Sequence, residues 1–83
     1  MTKFKIILTA KKADSALVSF ILNQLMAIEW LDCVIGDFEE IPRLTADFFI
    51  SVIEDMTFQE IREVCSLFRK AKKNTIYLSD ILF

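Results

Sequence analysis

The chain contains no histidine, and its two cysteines, Cys33 and Cys65, stand alone with no C-x-x-C spacing. A mixed Cys/His zinc site therefore lacks its donors, and both thiols read as reduced side chains packed in a core. Nucleophilic or acid–base catalysis needs a base placed beside a nucleophile. Without histidine the candidates are lysines and carboxylates at positions that read as solvated, and neither cysteine has an activator visible in the sequence. No Gly-rich loop follows any strand pattern, which excludes a backbone cradle for phosphates of the P-loop or dinucleotide type. A phosphorylated ligand would have to be held by side chains, for which Lys11 and Lys12 are the candidates. The residue types thus point to no catalytic centre, no metal and no cofactor.

What the charged residues do offer is a segregated field. Residues 1–28 hold four lysines and one aspartate, residues 29–55 hold eight acids and one arginine, and residues 56–83 hold five bases and three acids. The regional nets are +3, −7 and +2 within an overall −2. The acids Glu29, Asp32, Asp37, Glu39, Glu40, Asp47, Glu54 and Asp55 would gather around a second strand and the ends of a third. A single-sign patch of that kind steers a basic partner, and it also solvates a sheet edge and discourages strand pairing. Asp37, Glu39, Glu40, Asp47, Glu54 and Asp55 are therefore candidates for an acidic protein interface. Its sharpest form is a mimic of nucleic-acid charge that occupies the basic groove of another protein, as small phage-encoded inhibitors do.

The elements that must position these groups follow from periodicity. Lys3 to Thr9 alternates as a first strand, with Phe4, Ile6 and Leu8 on one face. Asp14 is a suitable N-cap for a helix running to about Leu31. Cys33 to Ile41 reads as a weaker strand interrupted by Gly36, and Pro42 to Thr45 as a connection. Ala46 to Ile53 is the strongest strand pattern, apolar on both faces. Thr57 and Glu60 form a capping box, with Met56 placed to staple against Ile61, so a second helix starts there and stops near Asn74. Thr75 to Phe83 closes the chain as a fourth strand. Two strand–helix–strand units with similar helices predict an α+β, ferredoxin-like βαββαβ sandwich. Its four-stranded antiparallel sheet would carry both helices on one face, with strands one and three central.

Length and composition agree with one domain over residues 1–83. A chain this short buries only a little over ~60% of its unfolded surface, so it needs apolar residues, and 54% of these residues are hydrophobic, eight of them Phe. One Gly and one Pro exclude a linker-like or disordered composition. The longest uncharged run, Ser15 to Ile28, is shorter than the roughly 20 apolar residues of a membrane span. Met1 to Lys5 leads directly into a strand pattern with no export signal, so the cytoplasm is the expected location.

The predicted layout, with Phe4-Lys5-Ile6-Ile7-Leu8 followed by a helix after a short loop, resembles that of trimeric PII-like and CutA-like regulators. The resemblance spans the chain as a layout and not as a motif. It implies a small-ligand regulator with sites between subunits, and no functional residue carries over. Among other uses of such a fold, RNA recognition would need Gly and aromatics on strand three and a basic surface. Ala46 to Ile53 has no Gly and carries Asp47, which argues against direct nucleic-acid binding. A metal-chaperone loop would need paired thiolates, and Thr9-Ala10-Lys11-Lys12 has none.

The second unusual feature is an excess of apolar side chains. The first helix carries Leu17, Phe20, Ile21, Leu25, Ile28 and Leu31 as its core stripe, and Val18, Leu22, Met26 and Trp30 as a second row. In the predicted sandwich, Ile7, Phe49 and Ile53 would fall on the sheet face away from the helices. Contiguous exposed apolar patches mark interfaces. Val18, Leu22, Met26, Trp30, Ile7, Phe49 and Ile53 are therefore the candidate apolar interface of a non-enzymatic protein–protein interaction module. It would form a homo-oligomer or dock on a heterologous protein. A small-molecule ligand remains admissible as the regulator alternative.

Overall fold

A computed structural model describes residues 3–79. The elements run β1 (Phe4–Ala10), α1 (Ala16–Met26), β2 (Leu31–Ile35), a 3-10 helix (Phe38–Arg43), β3 (Phe48–Val52), α2 (Phe58–Lys70) and β4 (Thr75–Leu78). The four strands form one sheet in the order β2-β1-β3-β4, and every pair is parallel.

The antiparallel ferredoxin-like sandwich is thereby corrected. The reason lies in residues 36–47, which were expected to hold the end of a strand and a turn. They hold a 3-10 helix with Pro42 inside it, and so supply a crossover long enough to carry the chain back past β1. A parallel neighbour needs such a crossover, whereas a hairpin needs only a tight turn. The expected strand Cys33–Ile41 accordingly shrinks to Leu31–Ile35. The two strands expected at the centre, β1 and β3, do lie there. The resemblance to PII-like and CutA-like regulators rests on the antiparallel layout and loses its basis with it.

The helices are not on one face. Alternation along β1 and β3 sends Ile6, Leu8, Ile50 and Val52 to one side, where they join Val18 of α1 with Leu31 and Cys33 of β2. Ile7 and Phe49 point to the other side and join Ile41 of the 3-10 helix with Val64 and Phe68 of α2. The chain steps one way across the sheet from β1 to β2 and the opposite way from β2 to β3 and β4. Crossovers of one hand must then lie on opposite faces, as they do. The result is an open, doubly wound parallel sheet, and the buried quartet Ile6–Thr9 is the two-sided burial that such strands require.

Local chemistry sets the element ends. Ser15, not Asp14, caps α1, its Oγ accepting from the Val18 N–H at 3.2 Å. The helix stops at Met26 instead of Leu31. The Phe4 N–H donates to the Trp30 carbonyl at 3.0 Å, which commits Trp30 to the start of the sheet. Gly36 leaves β2 at a close approach: a Cβ there would stand 2.9 Å from both Ile7 Cγ2 and Leu44 Cδ1. The capping box at Thr57 and Glu60 forms as the sequence predicts. The fourth strand runs over Thr75–Leu78, and the expected continuation to Phe83 falls outside the described residues from 80 onward.

Candidate functional site

Because all strands are parallel, the loops after β1, β2 and β3 lie at one end of the sheet. The loop after β1 turns to α1 on one face and the loop after β3 turns to α2 on the other, so a crevice opens between them. In open parallel sheets this is the point where ligands characteristically bind.

The crevice is occupied by paired charges. Lys11 Nζ lies 3.1 Å from both carboxylate oxygens of Glu60 and donates to the Asp55 backbone carbonyl at 3.2 Å. Lys12 Nζ lies 3.0 Å from Asp55 Oδ2. Glu60 also accepts from the Thr57 N–H at 3.0 Å, while Thr57 Oγ1 accepts from the Glu60 N–H at 3.2 Å. The Thr57 backbone hydrogen bond first, then Lys11, holds the Glu60 carboxyl below its usual range. The hydrogen bond and charge of Lys12 do the same for Asp55, and Asp55 in return raises Lys12. Asp55 adopts a left-handed φ of 59°, which turns its backbone carbonyl and side chain toward the two lysines.

A cavity of about 770 Å³ lies beside these pairs, lined by Lys12, Ser15, Glu54, Asp55, Thr57 and Ser79 among others. Both lysines proposed as phosphate contacts are thus already engaged by carboxylates. Exposed pairs of this kind, screened by solvent, add little to stability. Their principal effect is to tie the β1–α1 loop to the start of α2. Among the described residues no three of His, Cys, Asp and Glu come together to hold a metal ion. Cys33 is buried, and burial pushes its thiol up, which disfavours the reactive thiolate.

Two other surfaces stand out. A groove of about 550 Å³ runs between α2 and the 3-10 helix, with Phe38, Met56, Val64 and Leu67 in its floor. At the opposite end of the sheet, Phe4 at the start of β1 and Trp30 just before β2 meet edge to face, with ring centroids 6.3 Å apart. They are 42% and 62% exposed, and Met26 at the end of α1 is 63% exposed.

The candidate apolar interface is therefore split. Met26 and Trp30 lie on the surface. Ile7, Val18 and Phe49 are buried in the two cores, because among the described residues both sheet faces are covered. Leu22 is half-buried against the α1-side core, and Ile53 half-buried at the crevice. Phe4 alternates onto the same face as Ile6 and Leu8 but, as the first residue of its strand, is exposed.

The candidate acidic interface is dispersed as well, because parallel strands put the beginnings of β2 and β3 at one end and their ends at the other. Asp47 lies at the amino end, accepting from the Lys5 N–H at 2.8 Å. Glu54 and Asp55 line the crevice at the carboxyl end. Asp37 and Glu39 border the groove, and Glu40 is exposed on the 3-10 helix. The sequence reading missed Glu60 and Glu63 as their neighbours across the groove. A crossover between the second and third strands would have brought them together.

No protein-family model matches the chain, and neither the curated proteins nor the solved structures yield a match. Among the described residues no helix is long and apolar enough to cross a membrane.

Proposed function

We propose that this chain is a non-catalytic interaction module of the cytoplasm that self-associates through the amino end of its sheet. The observation that carries the reading is the exposed Phe4–Trp30 pair. Two aromatic rings left in solvent lose the burial that would stabilise each by about 1.5–3 kcal/mol, and aromatic anchors of this kind dominate interface energetics.

The surrounding charges favour a second copy as the occupant. Lys3, Lys5, Asp32 and Asp47 line a single shallow depression at this end, two of each sign. Across a two-fold axis such a rim sets the lysines of one copy against the aspartates of the other. Isologous contacts require a self-complementary patch of this kind. The free cysteines agree with a reducing compartment.

Light scattering after size exclusion, on the wild type and on Trp30→Glu, tests the reading. The expected result is a wild-type mass at a multiple of 9.6 kDa that falls to the monomer in the variant. A wild-type monomer at every concentration, or an oligomer indifferent to the substitution, would overturn it.

A further inference from the structure

The groove between α2 and the 3-10 helix lies away from that patch, at the carboxyl end of the sheet, and its chemistry differs. Its floor is apolar: Phe38, Met56 and Leu67 are half-buried and Val64 is buried. Its rim carries Asp37 and Glu39 from the β2 side and Glu60 and Glu63 from α2. Among the described residues Lys11 is the one cation lining it, and its ammonium is held by Glu60. Among the described residues Asp37, Glu39 and Glu63 make no ion pair. An apolar trench is thus flanked on both sides by carboxylates without counter-charges.

We propose that this groove docks a cationic, amphipathic segment of a partner protein. Large aliphatic side chains would lie on Phe38, Met56 and Leu67, and lysines or arginines would pair with Asp37, Glu39 and Glu63. Charge complementarity selects this occupant. Nucleic acid and anionic lipid surfaces are repelled by the rim. A second copy docking by the same groove brings carboxylates against carboxylates, which costs free energy at an interface. The apolar floor separates the site from a simple acidic surface, because an amphipathic segment gains burial along with ion pairing.

The test uses a labelled peptide built of Lys-Leu-Leu-Lys repeats, titrated into the full chain carrying Trp30→Glu so that self-association does not enter the readout. Fluorescence anisotropy measures affinity, and backbone amide shifts locate the contact. Expected are saturable binding with shifts confined to residues 10–11, 37–44 and 56–67, and weaker binding as salt rises because exposed charges are screened over about 10 Å at 0.1 M. Expected too is a loss of affinity of roughly tenfold or more in Glu39→Lys/Glu63→Lys, since the reversed side chains set like charges against the lysines of the peptide. A version of the peptide with Ser in place of Leu is expected to bind far more weakly.

Glu29→Lys, exposed at the other end of the molecule, serves as the charge-reversal control. The proposal is overturned by an absence of binding, by shifts spread over the whole surface, or by a Glu29→Lys effect as large as that of the groove variant. Both groove substitutions are at exposed positions, and a circular-dichroism melt establishes that the variant remains folded.

Discussion

Tyr77 is the only tyrosine in the chain, and its surroundings make it a reporter of the packing between α2 and β4. In the β3–β4 register it lies opposite Ser51, on the face covered by α2, and its ring meets Phe68 edge to face with centroids 6.1 Å apart. Burial first, and the neighbouring Cys65 second, push its hydroxyl up to about 12. The protonated form is thus favoured by folding. This contribution is fully present below the unfolded value of about 10 and is lost as the pH rises through 12. Titration of the phenolate absorbance is expected to show a midpoint well above 10 in the native chain and near 10 in denaturant. Coincidence of the two curves would remove the contact with Phe68 and Cys65 from the solution structure. The alternation of Ile76 and Leu78 with Thr75, Tyr77 and Ser79 placed this residue on a strand, but nothing in the sequence named Cys65 and Phe68 as its neighbours.

At the scale of the element, α2 shows how local chemistry can be read directly and where it ends. Its start was legible because Thr57 and Glu60 satisfy each other's backbone donors within a few residues. Its stop uses a Schellman arrangement, with Lys73 N–H donating to the Phe68 carbonyl at 3.1 Å and Lys72 N–H to the Arg69 carbonyl at 3.1 Å. The turn requires Lys72 at a φ of 55°, where a side chain is strained. Lys72→Gly is expected to raise stability by about 1 kcal/mol, since only glycine enters that region freely. A urea midpoint shifted upward at unchanged slope would show it, and an unchanged or lowered midpoint would contradict the assigned turn. The end of α1 was less legible. The apolar row continues through Trp30 with no glycine or proline to stop it, yet the helix ends at Met26, and the Trp30 carbonyl accepts from the N–H of Phe4, far away in the sequence.

The whole molecule turns on whether one or both sheet faces are covered, and a single residue separates the alternatives. Phe49 would lie on an open face in an antiparallel sandwich, where its truncation costs little. In the parallel sheet it is 1% exposed, packed 5.5 Å from the Phe68 ring between centroids. Phe49→Ala is accordingly expected to cost about 3–5 kcal/mol, read from denaturant unfolding. A loss below about 1 kcal/mol, the ordinary range for a surface substitution, would favour the open face. The same two-sided coverage decides the interaction surfaces. It withdraws Ile7, Val18 and Phe49 into the cores, leaves Trp30 and Phe4 outside, and assembles the groove from segments far apart in sequence.

Composition and periodicity determined by themselves that the chain forms a small apolar-rich core and where α2 begins. Each depends on residues close together or on alternation along one segment. The apolar runs Ile6-Ile7-Leu8 and Phe48-Phe49-Ile50 already carried the mark of strands buried on both faces. Strand direction was decided only in three dimensions, by a short 3-10 crossover whose apolar content reads locally as a broken strand. Direction in turn sets which loops share an end of the sheet. The acids of residues 29–55 could be counted in the sequence, but their division between the amino end, the crevice and the groove is a property of the parallel sheet alone.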